Sequence, residues 1–228
     1  MSRLLLSCLL AVYLSIPSAF ATEKDVEHYK HELISLNQNI GTYYFIEDHL
    51  AKGLQDQNHT QIGSVQDFLI NERGQVEQLI GELNDMNLGQ TTLTLAYNDL
   101  EHSKNSYTLA MNAENMEEEL AIFLSNIETA AGYDAADLIS TRRLKGRQIT
   151  LPTGEPIGIV ENVITDKENY QVVGVLVKSL ETRPEHERIA LPYPNGLKIK
   201  NTGFSNNLQL AEEYVEIVQE FCAAGIPN

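Results

Sequence analysis

Cysteine is nearly missing from this chain of 228 residues: there are two, Cys8 and Cys222. Once the N-terminal apolar stretch is removed, Cys222 stands alone. No intramolecular disulfide can then form, and the fold must rest on its apolar core. The setting Phe221-Cys222-Ala223-Ala224 suits a small apolar filler near a helix end, with an intermolecular disulfide as the alternative. Basic residues are also scarce. Sixteen Lys and Arg face 32 Asp and Glu, for a formal net charge of −16. Such a surface favours solubility, and it argues against nucleic acid or an anionic membrane surface as the primary partner.

Long apolar runs are lacking too. The run from Leu4 to Leu14 covers about 11 residues, where a spanning helix needs about 20. Arg3 precedes it and Ala19-Phe20-Ala21 follows, so residues 1–21 read as a cleavable export signal ending in a small-x-small site. Leu5-Leu6-Ser7-Cys8 loosely resembles a lipoprotein processing motif, but its cysteine lies inside the apolar run instead of after it. The expected destination is the periplasm, without a membrane span.

Catalytic signatures are absent as well. There is no Gly-x-Ser-x-Gly elbow, no phosphate-binding Gly-Lys loop and no Gly-x-Gly-x-x-Gly fingerprint. The histidines are His28, His31, His49, His59, His102 and His186. His28 and His31 share a helix face, and His31-Glu32 opens like a zinc-protease motif. Ser35, however, occupies the position of the second ligand. Glu117-Glu118-Glu119 lacks the alternating ligands and central Gly of a calcium loop, and reads as an acidic helix start. No cofactor is expected, and metal binding stays open.

What is present has a clear period. Asp25 to about Asn37 carries apolar residues at helical spacing. Thr42–Ile46 is β-branched and aromatic, and predicts the first strand of the folded unit. Val65–Ile70 and Val76–Ile80, joined by Asn71-Glu72-Arg73-Gly74, predict a hairpin, and Leu93–Tyr97 a further strand. Met116, Leu120, Phe123, Leu124 and Ile127 predict a helix over Asn112–Ala131, with Asn115 as cap and Gly132 as stop. Leu208, Leu210, Ala211, Tyr214, Ile217, Val218 and Phe221 predict a C-terminal amphipathic helix.

The second half repeats the first. Ile157–Asp166 matches Ile62–Asn71 at an offset of 95, Ile189–Tyr193 matches Leu93–Tyr97 at 96, and Gly146 answers Gly53 at 93. A period this long suits a duplicated small domain and not a solenoid.

Within the second half, Leu144–Ile149, Thr153–Ile164, Val172–Val177 and Arg188–Tyr193 follow one another in an order that resembles a PRC-barrel domain. Asn162 stands where the family's hairpin has Asp. The first half looks like a more divergent copy: Gln61 replaces a turn Gly or Pro, and Ala96 stands opposite Pro192. The resemblance implies a small, mostly antiparallel β-barrel that serves as a docking or assembly module, and it brings no catalytic residues. Family members occur in the photosynthetic reaction centre H subunit and in a ribosome maturation factor. Neither context fits a chain without a membrane helix or an RNA-related domain.

These readings predict a mainly β protein with flanking helices, built as two small antiparallel β-barrel domains from a duplication. Residues 22–41 form an N-terminal helical segment, 42–110 the first domain, 111–134 a linking helix, 135–203 the second domain and 204–228 the C-terminal helix. Gly53, Gly63, Gly74, Gly146, Gly154 and Gly158 are expected at turns or bulges. The expected function is non-catalytic binding or assembly with a protein partner. Arg142, Arg143, Lys145, Arg147, Tyr214 and Phe221 are candidate contact residues, although the basic four are expected to pair with the protein's own carboxylates. The alternatives are a metal-binding protein or enzyme with an acidic site between the halves, and a homo-oligomeric envelope protein.

Overall fold

The structure, a computed structural model, describes residues 21–83, 91–110, 138–167, 170–180, 187–202 and 205–224. The expected export signal and linking helix, with Glu117–Glu119 and His186, lie outside these residues, apart from Ala21.

Helix α1 runs from Glu23 to Gln38. It starts where Thr22 and Asp25 exchange side-chain and backbone hydrogen bonds in a capping box. Tyr29, Leu33, Leu36 and Asn37 are buried, one stripe at helical spacing. The first sheet then follows, from β2 (Gly53–Gln55), β3 (Gln61–Ile70), β4 (Val76–Leu83), β5 (Thr91–Ala96), β6 (Glu101–His102) and β7 (Ser106–Thr108). The second is built from β9 (Gln148–Thr150), β10 (Pro156–Thr165), β11 (Val172–Ser179), β12 (Arg188–Pro192), β13 (Leu197–Thr202) and β14 (Ser205–Leu210).

The two sheets have one topology. Strand order is β5-β4-β3-β2-β7-β6 in the first and β12-β11-β10-β9-β14-β13 in the second. Each is a curled, part-barrel sheet flanked by helices, the product of a duplication. Pairing is antiparallel except where β7 joins β2 and β14 joins β9, both parallel. A bulge interrupts β3 between Val65 and Asp67, and its twin interrupts β10 between Val160 and Asn162. The extra residue turns Asp67 and Asn162 inward.

The halves are interlocked. Strand β1 (Tyr44–Phe45) pairs with β10 of the second sheet, and β8 (Ile139–Ser140) pairs with β3 of the first. Thr42–Ile46 is therefore not the first strand of its own unit. Only two of its residues pair as a strand, and they complete the other sheet. Short helices follow each crossing strand: α2 (Ile46–Leu50) and α3 (Thr141–Leu144). The hairpin turns meet as well. The Val172 amide donates to the Gly74 carbonyl at 2.8 Å, and Gln171 donates to the Arg73 carbonyl at 3.0 Å. Gly74 adopts φ +77°, and a Cβ there would collide with the Val172 carbonyl oxygen, so glycine is required.

Helix α1 covers the outer strand of the second sheet. The Asn37 amide donates to the Ala190 carbonyl at 2.8 Å and accepts from the Ala190 amide at 2.9 Å, standing in for a neighbouring strand. Tyr29 stacks on Tyr214 with ring centroids 4.0 Å apart. Two further expectations need correction. Leu208 and Leu210 lie on strand β14, buried at alternate positions, and only Val215–Ala224 forms the final helix, α4. The strand registers also make Gln148 the counterpart of Gly53 and Ala51 the counterpart of Gly146, so the match at 93 is a coincidence of residue type.

Candidate functional site

Because the halves share a fold, each is a control for the other. The second part-barrel sheet packs with Leu144, Val163, Ile199 and Leu208. At the equivalent positions the first half has His49, Phe68, His102 and Tyr107. The fold does not ask for rings or polar atoms at these places, yet here they gather. Tyr97, Tyr107 and His102 lie with centroids 4.3 to 6.1 Å apart, and Phe68 sits 5.9 Å from Tyr107.

Tyr170 closes the cluster from the second half. It approaches His49, His102 and Tyr97 at 4.9, 5.6 and 6.2 Å. Its backbone is left-handed at φ +55°, a region costly for a bulky residue, and it occupies the place that Gly74 has in the other hairpin. Lys52 lies over two of the rings, 4.8 Å from the centroid of Tyr170 and 5.2 Å from that of Tyr107. Its ammonium also donates to the Ser103 carbonyl at 3.3 Å.

The polar atoms here are incompletely satisfied. The Tyr97 and Tyr107 hydroxyls are buried and have no partner beyond each other. Burial raises both phenols, so both keep their protons. His49 is 2 % exposed, and its Nε2 meets the Thr165 hydroxyl at 2.9 Å while Nδ1 has no partner. Burial, then the nearby Lys52 charge, lowers its pKa to about 4 against the opposing pull of Asp48. Burial alone lowers Lys52.

At the junction, Asp67 is buried and accepts from the hydroxyls of Ser140 and Thr141, and from the amides of Phe68 and Arg142. These bonds tether the start of α3 to the other half's bulge. Asn162, its twin, accepts from the Val163 amide and donates to Glu47 at 2.5 Å. The substitution now has a cause: an aspartate at 162 would face the Glu47 carboxylate. Glu47 also pairs with Lys145.

A second feature lies in the other half. A groove of about 420 Å³ runs between α4 and the second sheet. Ile157, Val177, Leu191, Val218 and Phe221 line it, Leu180 stands 49 % exposed on it, and Cys222 packs in its wall. Glu155 and Arg188 are its charged lining residues, and Arg188 is held by Glu161 through bonds of 2.6 and 2.8 Å.

The predicted contact residues scatter. Phe221 lines the groove, but Tyr214 is buried under Tyr29 and offers no outer surface. Arg142 and Arg143 are exposed on α3, Lys145 is taken by Glu47, and Arg147 donates to the Arg143 carbonyl at 2.8 Å. Gly146 and Gly154 are left-handed turn residues, while Gly63 and Gly158 lie where strands pass closely. His28 and His31 face outward on α1, His28 beside Glu32 at 3.3 Å. Among the described residues, no three His, Cys, Asp or Glu come together in a group that could hold a metal, and no helix is long and apolar enough to cross a membrane. No model of a known protein family matches the chain, and no curated protein matches it.

Proposed function

We propose that this is a non-catalytic binding or assembly module of the periplasm, built from two PRC-barrel-like halves, that docks a partner protein in the groove beside α4. One observation carries the reading: an apolar floor with the exposed Leu180 at its side is costly surface for a monomer to keep. The charges point to the partner's chemistry. Arg188 is neutralised by Glu161, while Glu155 and the exposed Glu216 and Glu220 of α4 leave the surroundings acidic. An apolar segment carrying basic residues is the matching occupant. The order of motifs in the second half supports the family part of the reading.

The test is light crosslinking of the tagged protein in its native compartment, followed by co-purification, beside a Leu180→Asp variant. A partner at near-equal amount that is lost in the variant and loosened by salt supports the reading. Self-crosslinks alone would favour a homo-oligomer. A stoichiometric metal retained after dialysis, with no partner, would favour a metal-binding protein or enzyme.

A further inference from the structure

The first half carries a second, separate site. We infer that the ring cluster around Lys52 binds a small organic monoanion, a carboxylate carried on a flat ring. The argument starts from charge. In a chain with twice as many acidic as basic residues, a lysine drawn partly out of water is expected beside a carboxylate. The ion pairs among the described residues engage Lys145, Lys178, Arg188 and Lys198, and Lys52 has none.

The neighbours are donors. Tyr97 and Tyr107 are buried, protonated phenols close enough to share one hydrogen bond between them, which leaves at least one of the two protons without an acceptor. A buried donor in that condition calls for an acceptor. A single ammonium suits a single negative charge, while the strongly acidic whole repels polyanions. Around the cation, His102 is exposed and Tyr170 half-buried, so aromatic faces meet solvent beside it and favour a ring on the ligand.

The internal duplication supplies the control. Arg147 is the equivalent of Lys52, and its guanidinium turns to the Arg143 carbonyl in an aliphatic setting. The same fold thus exists without the cluster. The strained Tyr170 adds a further reason, since the matching turn is made with glycine at no such cost.

The experiment titrates benzoate, acetate and inorganic phosphate into the full chain, reading tyrosine fluorescence, which no tryptophan obscures. A saturable response to benzoate is expected, about tenfold weaker for acetate because the ring contact is lost. It should vanish in Lys52→Met, persist in Lys52→Arg and be unchanged in Arg147→Met. Should Lys52→Met fail to fold, the ammonium signal of Lys52 in the unaltered protein must shift with benzoate. No saturable response, an equal response in Lys52→Met, or a Lys52 signal that stays still would overturn the inference. A response to phosphate that matches benzoate would overturn the assignment to a ring-bearing carboxylate.

Discussion

The two halves differ in what fills an identical frame. The second part-barrel sheet packs with aliphatic side chains, including Val163, Ile199 and Leu208. The first has Phe68, His102 and Tyr107 in their places and gathers six rings and a lysine across the junction. The second keeps instead an apolar groove beside α4. A duplicated fold thus separates what packing requires from what it merely permits. Where one copy is satisfied with leucine and the other holds a buried histidine, packing alone is not the explanation.

The interlock gives the most forceful way to break this comparison. Phe68→Ala should cost about 3–5 kcal/mol and Val163→Ala about 2 kcal/mol, since a ring leaves the larger cavity. Calorimetry should show one transition shifted in both variants, because β1 and β8 bind each sheet to the other. Two separate transitions would mean that the halves stand independently.

The bulge residues sharpen the contrast. Asn162→Asp should destabilise by about 1–3 kcal/mol, through repulsion with Glu47. Adding Glu47→Gln should restore most of the loss in a urea-denaturation double-mutant cycle. Asp67→Asn should cost a similar amount, but without rescue from Glu47→Gln.

Acid should single out the first half. The folded pKa of His49, about 4, lies below its ordinary value of 6.5, so the unfolded chain takes up the proton first. Its contribution is complete above pH 6.5 and falls away toward pH 4, by about 2–3 kcal/mol. His49→Leu, copying Leu144, should flatten that part of the stability profile. The smallest effect belongs to the exposed Lys145–Glu47 pair. Lys145→Met should change stability by less than about 1 kcal/mol in the same assay.

Much of the frame was legible in the sequence. Both hairpins, the N-terminal helix and the duplication are written in periods of 2 and 3.6 and in a steady offset. The crossing strands were not, because two residues carry no period: Tyr44–Phe45 reads as the start of whatever follows it. Leu208 and Leu210 misled because spacing shared with Ala211, Tyr214 and Val218 continues as well in a helix as it begins in a strand. The ring cluster was out of reach for another reason. Its members run from His49 to Tyr170, and only the interlock brings them together. The one signal available was the residue-by-residue mismatch between the repeats, aromatic against aliphatic.

The exchange of β1 and β8 has a consequence for how the chain comes to fold. The seat on β3 is filled by Ile139–Ser140, while Tyr44–Phe45 must wait for β10. A chain that crosses a membrane N-terminus first delivers its N-terminal half before either partner strand has arrived. Through that interval the first sheet has an open edge, and an early segment has nowhere to dock. Emergence on the far side therefore carries a window of aggregation risk that closes only when Pro156–Thr165 has arrived, and a chaperone holding the emerging chain through that interval would guard it against misassembly.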